Sequence, residues 1–249
     1  MGSLHLGHLS LIQNAISNAD IVVATIYVNK LQFNDINDYK NYPRSHAQDI
    51  KKLTKIGCDI LYMPSEDDVF SPSFTAINYD FNGLDKYMEG KFRVGHFNGV
   101  ATIVERLIDI VLPEKAFFGE KDLQQLQIIK HITRDKPVEI IGVKTIRDES
   151  GLAMSSRNNL LTSRDLDEAT NVYKSLKYVI ENAYKKSIAQ LKLDATSRIK
   201  LKSKLELEYF EIVSIKTLHP IDFLEEKGNN AACIAVSING VRLIDNIIF

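Results

Sequence analysis

The strongest constraint on the fold is an alternation in the first 146 residues: short β-branched runs separated by amphipathic stretches of helical period. The run Ile21 to Val28, within DIVVATIYVN, has no polar alternation and predicts a strand buried on both faces, as in a parallel sheet covered by helices. CDILYMPS, EKAFFG and VEIIGVKTI (Val138 to Ile146) predict further strands. Between them, SHAQDIKKLTKIG, GVATIVERLIDIVLP and DLQQLQIIKHITRD predict helices. Ahead of the first strand, Leu9, Ile12, Ile16 and Ala19 fall at the spacing of a helix with one buried face. Such alternation means βαβ units, and the expected class is α/β, a Rossmann-like doubly wound parallel sheet.

Beyond Ile146 the pattern changes. RDESGLAMSSRNNLLTSRD is polar and turn-rich, and Leu166 to Leu205 has a lysine-rich helical pattern. LEYFEIVSI, AACIAVSI and VRLIDNII then alternate as strands, the last two joined through Asn239-Gly240, a strong hairpin signal. The expected division is residues 1–146 as the Rossmann-like domain and 147–249 as a smaller C-terminal α+β domain.

Bulk properties narrow the function. With 249 residues, 45% apolar and 25% charged, the chain can bury a sizeable core. A formal net charge of −1 exerts no global pull toward nucleic acid or an anionic membrane, so any phosphate site must be local. The lysines between Lys174 and Lys204 are interleaved with Glu181, Asp194 and Glu206, the pattern of a solvated face. Cys58 and Cys233 make neither a disulfide framework nor a metal spacing and read as reduced core residues. No apolar run reaches the ~18 residues of a membrane span and no signal peptide is evident, so a cytoplasmic protein is expected.

Three segments carry chemistry. His5 and His8 stand three apart around Gly7 at the entrance of the first helix, where unpaired N–H groups and the dipole suit phosphate. A zinc reading lacks a third ligand at a plausible spacing, and H-E-x-x-H is absent. In FFGEKDLQQ a strand ends at Gly119, and Lys121 at the turn into a helix is placed to meet a phosphate. Asp122 suits either a helix cap or a ribose hydroxyl. Gln124 and Gln125 face different sides of that helix, so at most one points into a cleft. In GLAMSSRNN, Ser155 and Ser156 offer hydroxyls and Arg157 a bidentate fork, the donor set of a phosphate clamp. Together they describe a nucleoside triphosphate site without a Walker A loop, since G-x-x-x-x-G-K-[ST] does not occur.

With these pieces the chain resembles the pantoate–β-alanine ligase (pantothenate synthetase) family, among the nucleotidyltransferases with an H-x-G-H signature, here His5-Leu6-Gly7-His8. The resemblance runs through YVNKLQFN, DYKNYPRS, KFRVGHFNGVATIV, FFGEKDLQQ, GLAMSSRN and VRLIDN, nearly the whole chain in order. It implies an enzyme that condenses pantoate with β-alanine at the expense of ATP, through a pantoyl adenylate, releasing AMP and pyrophosphate. It implies His5, His8 and Lys121 as catalytic residues. ATP binding would fall to Met1, His8, Gly119, Lys121, Asp122, Ile146, Met154, Ser155, Ser156 and Arg157. Pantoate binding would fall to Gln32 and Gln125, with Met1 against its methyl groups. Mg²⁺ would bridge the phosphates, Asp49 being the best matched carboxylate to hold it. Arg93 and His96 match a motif near the family's active site and receive no step. The resemblance also implies a homodimer, with no nucleic-acid or membrane partner.

Two rivals explain less. Another H-x-G-H adenylyltransferase would share His5 and His8 but not GEKDLQQ with MSSRN. A degenerate homologue would bind nucleotide without pantoate-dependent chemistry. Departures from the family pattern are Lys30 and Lys144, each at a usual proline. The family also carries a strand and helix ahead of the position of Met1. The expectation is therefore a longer protein of which these residues are part, because the sheet would otherwise expose a long buried-type edge.

Overall fold

The computed structural model describes residues 2–70, 77–200 and 204–249. Two units divide the chain: Met1–Asp85, Glu89–Glu120 and Gln124–Lys144 form the first, and Lys86–Met88, Lys121–Leu123 and Thr145–Phe249 the second.

In the first unit, helix α1 (Leu6–Ile16) buries Ile12 and Ala15. It ends short of Ala19, which is exposed. Small polar side chains account for the early stop: the Ser17 hydroxyl donates to the Gln13 carbonyl and the Asn18 amide to that of Asn14, at 3.0 and 2.8 Å. Strand β1 (Val23–Thr25) is shorter than the run from Ile21 to Val28 predicts. Only one face is fully buried, by Val22, Ala24 and Ile26, whereas Ile21 is 66% exposed. Helices α2 (Ile36–Asn41) and α3 (His46–Ile56) follow, and Gly57 ends α3 at φ 86°, a left-handed conformation that favours glycine. Strand β2 (Ile60–Tyr62) pairs parallel to β1, with Val23 opposite Ile60. Next come α4 (Glu66–Val69), α5 (Met88–Phe92) and α6 (His96–Val111). Strand β3 (Lys115–Gly119), helix α7 (Leu123–Ile132) and strand β4 (Glu139–Val143) complete the series, β4 parallel to β3 with Lys115 opposite Glu139.

Parallel βαβ construction is thus present, but among the described residues the strands form two hydrogen-bonded pairs rather than one continuous ladder. Side chains join the pairs: Phe117 of β3 packs against the core made by Leu4, Ile12, Ala24, Ile26 and Leu53.

The second unit contains α8 (Ser163–Asn182), α9 (Ile188–Lys200), β5 (Glu206–Ser214), β6 (Asn230–Ile238) and β7 (Val241–Ile248). Thr162 and Asp165 form a reciprocal capping box at the start of α8. The lysine-rich stretch forms two helices, with a break between Asn182 and Ile188. Strands β5, β6 and β7 form an antiparallel sheet with β6 central. Asn239 and Gly240 take φ of 49° and 78°, the double left-handed geometry of a tight hairpin turn. The helices lay Leu176, Leu191 and Ile199 on Ile212, Ile234 and Ile238. Both cysteines are free thiols; Cys233 is buried as expected, but Cys58 is only partly so.

Candidate active site

His5 and His8 build the entrance of α1 from their own imidazoles. His5 is the N-cap, its Nδ1 accepting the Gly7 N–H at 3.1 Å, and His8 Nδ1 accepts the His5 N–H at 3.3 Å. Each Nδ1 serves as an acceptor, so in the neutral rings the proton belongs on Nε2. The ring centroids lie 4.0 Å apart. Imidazole donors at a helix N-terminus are of the chemistry that suits a phosphate oxygen.

The segment feeding that helix is gripped by α3. Asp49 is wholly buried; its carboxylate accepts the Ser3 and Leu4 N–H groups at 2.8 and 2.7 Å and the Ser45 hydroxyl at 3.1 Å. Lys52, one turn on, donates to the Leu4 carbonyl at 2.6 Å. This clamp holds Ser3 at φ 49°, an uncommon conformation for a residue with a side chain. The metal role expected for Asp49 does not fit this placement. Both oxygens are taken by backbone donors, and the described residues contain no cluster of three or more His, Cys, Asp or Glu able to hold a metal.

Gln32 ends a 3-10 turn, Lys30–Gln32, that is seated on α6. Buried Asn29 caps the turn by accepting the Leu31 N–H at 3.1 Å and donates to the Gly99 carbonyl at 2.8 Å. Gly99 is required by this approach: a Cβ there would stand 2.2 Å from the Leu31 carbonyl oxygen. The Gln32 carbonyl accepts from His96 Nδ1 at 2.7 Å and Arg93 Nη2 at 3.2 Å. On α7 the two glutamines have different tasks. Gln124 is buried, accepting the Glu89 N–H and donating to the Leu84 carbonyl, whereas Gln125 is partly exposed. Gly119 closes β3 with no atom within 4 Å of where a Cβ would sit, leaving its backbone approachable.

Within the second unit, Lys121 Nζ pairs with Asp122 at 2.7 Å, and the Lys121 carbonyl accepts from Asn246 of β7 at 2.7 Å. The segment leading into Gly151–Asn159 is tied down. Arg147 makes a two-pronged pair with buried Asp245 at 2.6 and 3.0 Å and stacks over the Tyr173 ring at 4.3 Å. Burial pushes the Asp245 carboxyl above its ordinary value, with the Arg147 guanidinium opposing the shift. Ile146 accepts the Met154 N–H at 3.0 Å beside a short bridge between Arg147 and Ala153. Ser155 caps the 3-10 turn Ser156–Leu160, accepting the Arg157 N–H at 3.3 Å, so its oxygen is already engaged. Ser156 is buried and Arg157 partly exposed.

His5, His8, Gln32, Gly119 and Gln125 thus belong to the first unit, and Lys121, Asp122, Ile146, Met154, Ser155, Ser156 and Arg157 to the second. Met1 lies outside the described residues. Lys30 and Lys144 are exposed. The backbone clamp by Asp49 and Lys52 and the supports from Asn246, Glu89 and Gln124 escaped sequence reasoning. Asp49 and Gln124 were singled out for other reasons, Lys52 and Asn246 stood only inside quoted segments, and Glu89 stood in none.

A parallel α/β unit whose first helix opens on two capping imidazoles places the chain among Rossmann-like proteins with an H-x-G-H entrance. Known proteins narrow that class. The family model described as pantoate-beta-alanine ligase matches residues 1–248. Pantothenate synthetase of Christiangramia forsetii is 42% identical over 99% of this chain and 88% of its own length. That of Cytophaga hutchinsonii is 41% identical over 100% of this chain and 89% of its own. A crystal structure of pantothenate synthetase from Thermus thermophilus superposes with a TM-score of 0.94 at 37% identity, covering 100% of this chain and 90% of the other. Pantoate-beta-alanine ligase from Francisella tularensis, complexed with beta-gamma ATP and beta-alanine, superposes with a TM-score of 0.80 at 34% identity, covering 100% and 87%. This chain belongs to the pantoate–β-alanine ligase family.

Proposed function

We propose that this protein condenses pantoate with β-alanine, consuming ATP and releasing AMP and pyrophosphate. The observation that carries the reading from the structure is the pair of imidazoles capping α1 with both Nδ1 atoms engaged. In the first step the pantoate carboxylate attacks the α-phosphorus in line; the P–O bond to the β-phosphate breaks and pyrophosphate leaves. In the second, the neutral amine of β-alanine attacks the acyl carbon, AMP leaves, and the amine proton is lost to solvent or phosphate. Displacement of this kind asks the protein for alignment and charge stabilisation rather than covalent chemistry. No base is needed for the first step because pantoate is a carboxylate at neutral pH.

In this reading His5 and His8 donate to the phosphate oxygens as charge moves, and Lys121 with Ser155, Ser156 and Arg157 binds the triphosphate. Asp122 takes the ribose; Gly119, Ile146 and Met154 contact the nucleotide. Gln32 and Gln125 hydrogen-bond pantoate. Mg²⁺ would come bound to ATP as part of the substrate and would supply neutralisation of phosphate charge. Residues 1–146 bind nucleotide and pantoate, and 147–249 serve as the lid. The proposal includes a cytoplasmic homodimer; no helix among the described residues is long and apolar enough to cross a membrane.

The test is exchange of labelled pyrophosphate into ATP with Mg²⁺ and pantoate present and β-alanine absent. Exchange that requires pantoate is the expected result. A folded protein that binds ATP without pantoate-dependent exchange would overturn the ligase reading in favour of a nucleotide-binding homologue.

A further inference from the structure

We infer that Arg93 and His96 are positioning residues for the acid substrate: they hold the Lys30–Gln32 turn, and with it Gln32, in the conformation that receives pantoate. This rests on the proposed pantoate site at Gln32. Four observations within the first unit carry it. Both side chains converge on one backbone atom, the Gln32 carbonyl oxygen, from His96 Nδ1 at 2.7 Å and Arg93 Nη2 at 3.2 Å. The two donors also brace each other. Arg93 Nη1 lies 3.1 Å from His96 Nε2, so the imidazole that donates through Nδ1 accepts through Nε2, and one tautomer satisfies both contacts. Glu89, buried on the preceding turn, accepts from Arg93 Nη1 at 3.3 Å, and its own N–H is held by Gln124 at 2.9 Å. Finally, Gly99 and Asn29 seat the same turn on α6 through independent contacts, so the turn is docked at both ends.

The arrangement goes beyond what stability needs from a surface turn. A backbone carbonyl can be satisfied by water, whereas this one receives an imidazole and a guanidinium, and the imidazole is itself buried. The consequence is specific. With the carbonyl gripped, the Gln32 side chain starts from one backbone position, so its contact with substrate costs less ordering. Releasing the carbonyl frees the turn and weakens whatever Gln32 binds, leaving His5 and His8 in place on their own cap.

The experiment measures pantoate-dependent pyrophosphate exchange in His96→Leu, Arg93→Ala, Arg93→Lys and His96→Asn, with thermal melting of each variant. The first two lose a donor to the carbonyl, and their half-saturating pantoate concentration is expected to rise about tenfold, with that of ATP within about twofold of the parent. Arg93→Lys keeps the charge beside Glu89 but loses the fork, and falls between. His96→Asn restores a donor near the Nδ1 position and recovers most of the pantoate affinity, which a purely structural role for the ring would not require. Unchanged pantoate half-saturation in folded His96→Leu and Arg93→Lys would overturn the inference. So would an equal loss in ATP half-saturation, or no rescue by His96→Asn. Absence of exchange in the parent protein would instead strike the ligase reading itself.

Discussion

Histidine is an uncommon helix cap, and its use at position 5 joins a capping role to the proposed chemistry in one side chain. His5→Ala removes both the cap and the proposed phosphate donor. It is expected to cost about 1 kcal/mol of stability and at least about a hundredfold in adenylation. His5→Asn separates the two, since asparagine is a good cap: melting should return to near the parent while exchange stays low. His8→Ala and Lys121→Ala should each lower exchange at least about a hundredfold with the fold intact. Near-normal turnover in either would remove that residue from the mechanism. H-x-G-H and GEKD supplied the residue types, and the family resemblance supplied the roles proposed for them. Asp49 shows the limit. The family resemblance pointed to its carboxylate for a metal, while the fold engages both oxygens with the Ser3 and Leu4 N–H groups. A side chain's partners 45 residues away are not encoded in its neighbours.

At the scale of elements, the α8–α9 hairpin is closed by Asp194, which accepts from Lys186, Tyr178 and Gln190, with Arg198 stacked on the Tyr178 ring. These donors, Lys186 first, hold the Asp194 carboxyl down at about 2, against an ordinary 3.8. Because the folded value is the lower one, the stabilisation is full above pH ~4 and is lost as pH falls through about 2. Denaturant unfolding between pH 5 and pH 2.5 should therefore fall less steeply in Asp194→Asn than in the parent, and parallel slopes would assign the acid sensitivity elsewhere. Helix and strand identities were largely readable from period. Their lengths were not, because local competitors such as Ser17 and Asn18 end α1 early and burial of one face alone shortens β1. The hairpin at Asn239-Gly240 was readable because both residues tolerate the positive φ the turn demands.

Across the whole molecule the two units differ in how their sheets are built. Strand β6 is central and buried along nearly its full length, whereas β1 and β2 are three residues each and join one another alone among the described strands. Native-state hydrogen exchange should accordingly find the slowest amides in β6 and its neighbours β5 and β7, and faster exchange in β1 and β2. Comparable protection in β1 would mean that the parallel pair is held by more than its own ladder. By itself the sequence determined the α/β class and the antiparallel C-terminal hairpin, and it supplied the residue types on which the proposed phosphate site rests, because periodicity and turn chemistry are local. Only the tertiary structure decided that Asp49 clamps a backbone, that Arg93 and His96 meet on the Gln32 carbonyl, and that Asn246 reaches Lys121. Those pairings depend on where the packed core brings distant segments together, and no local pattern records that distance.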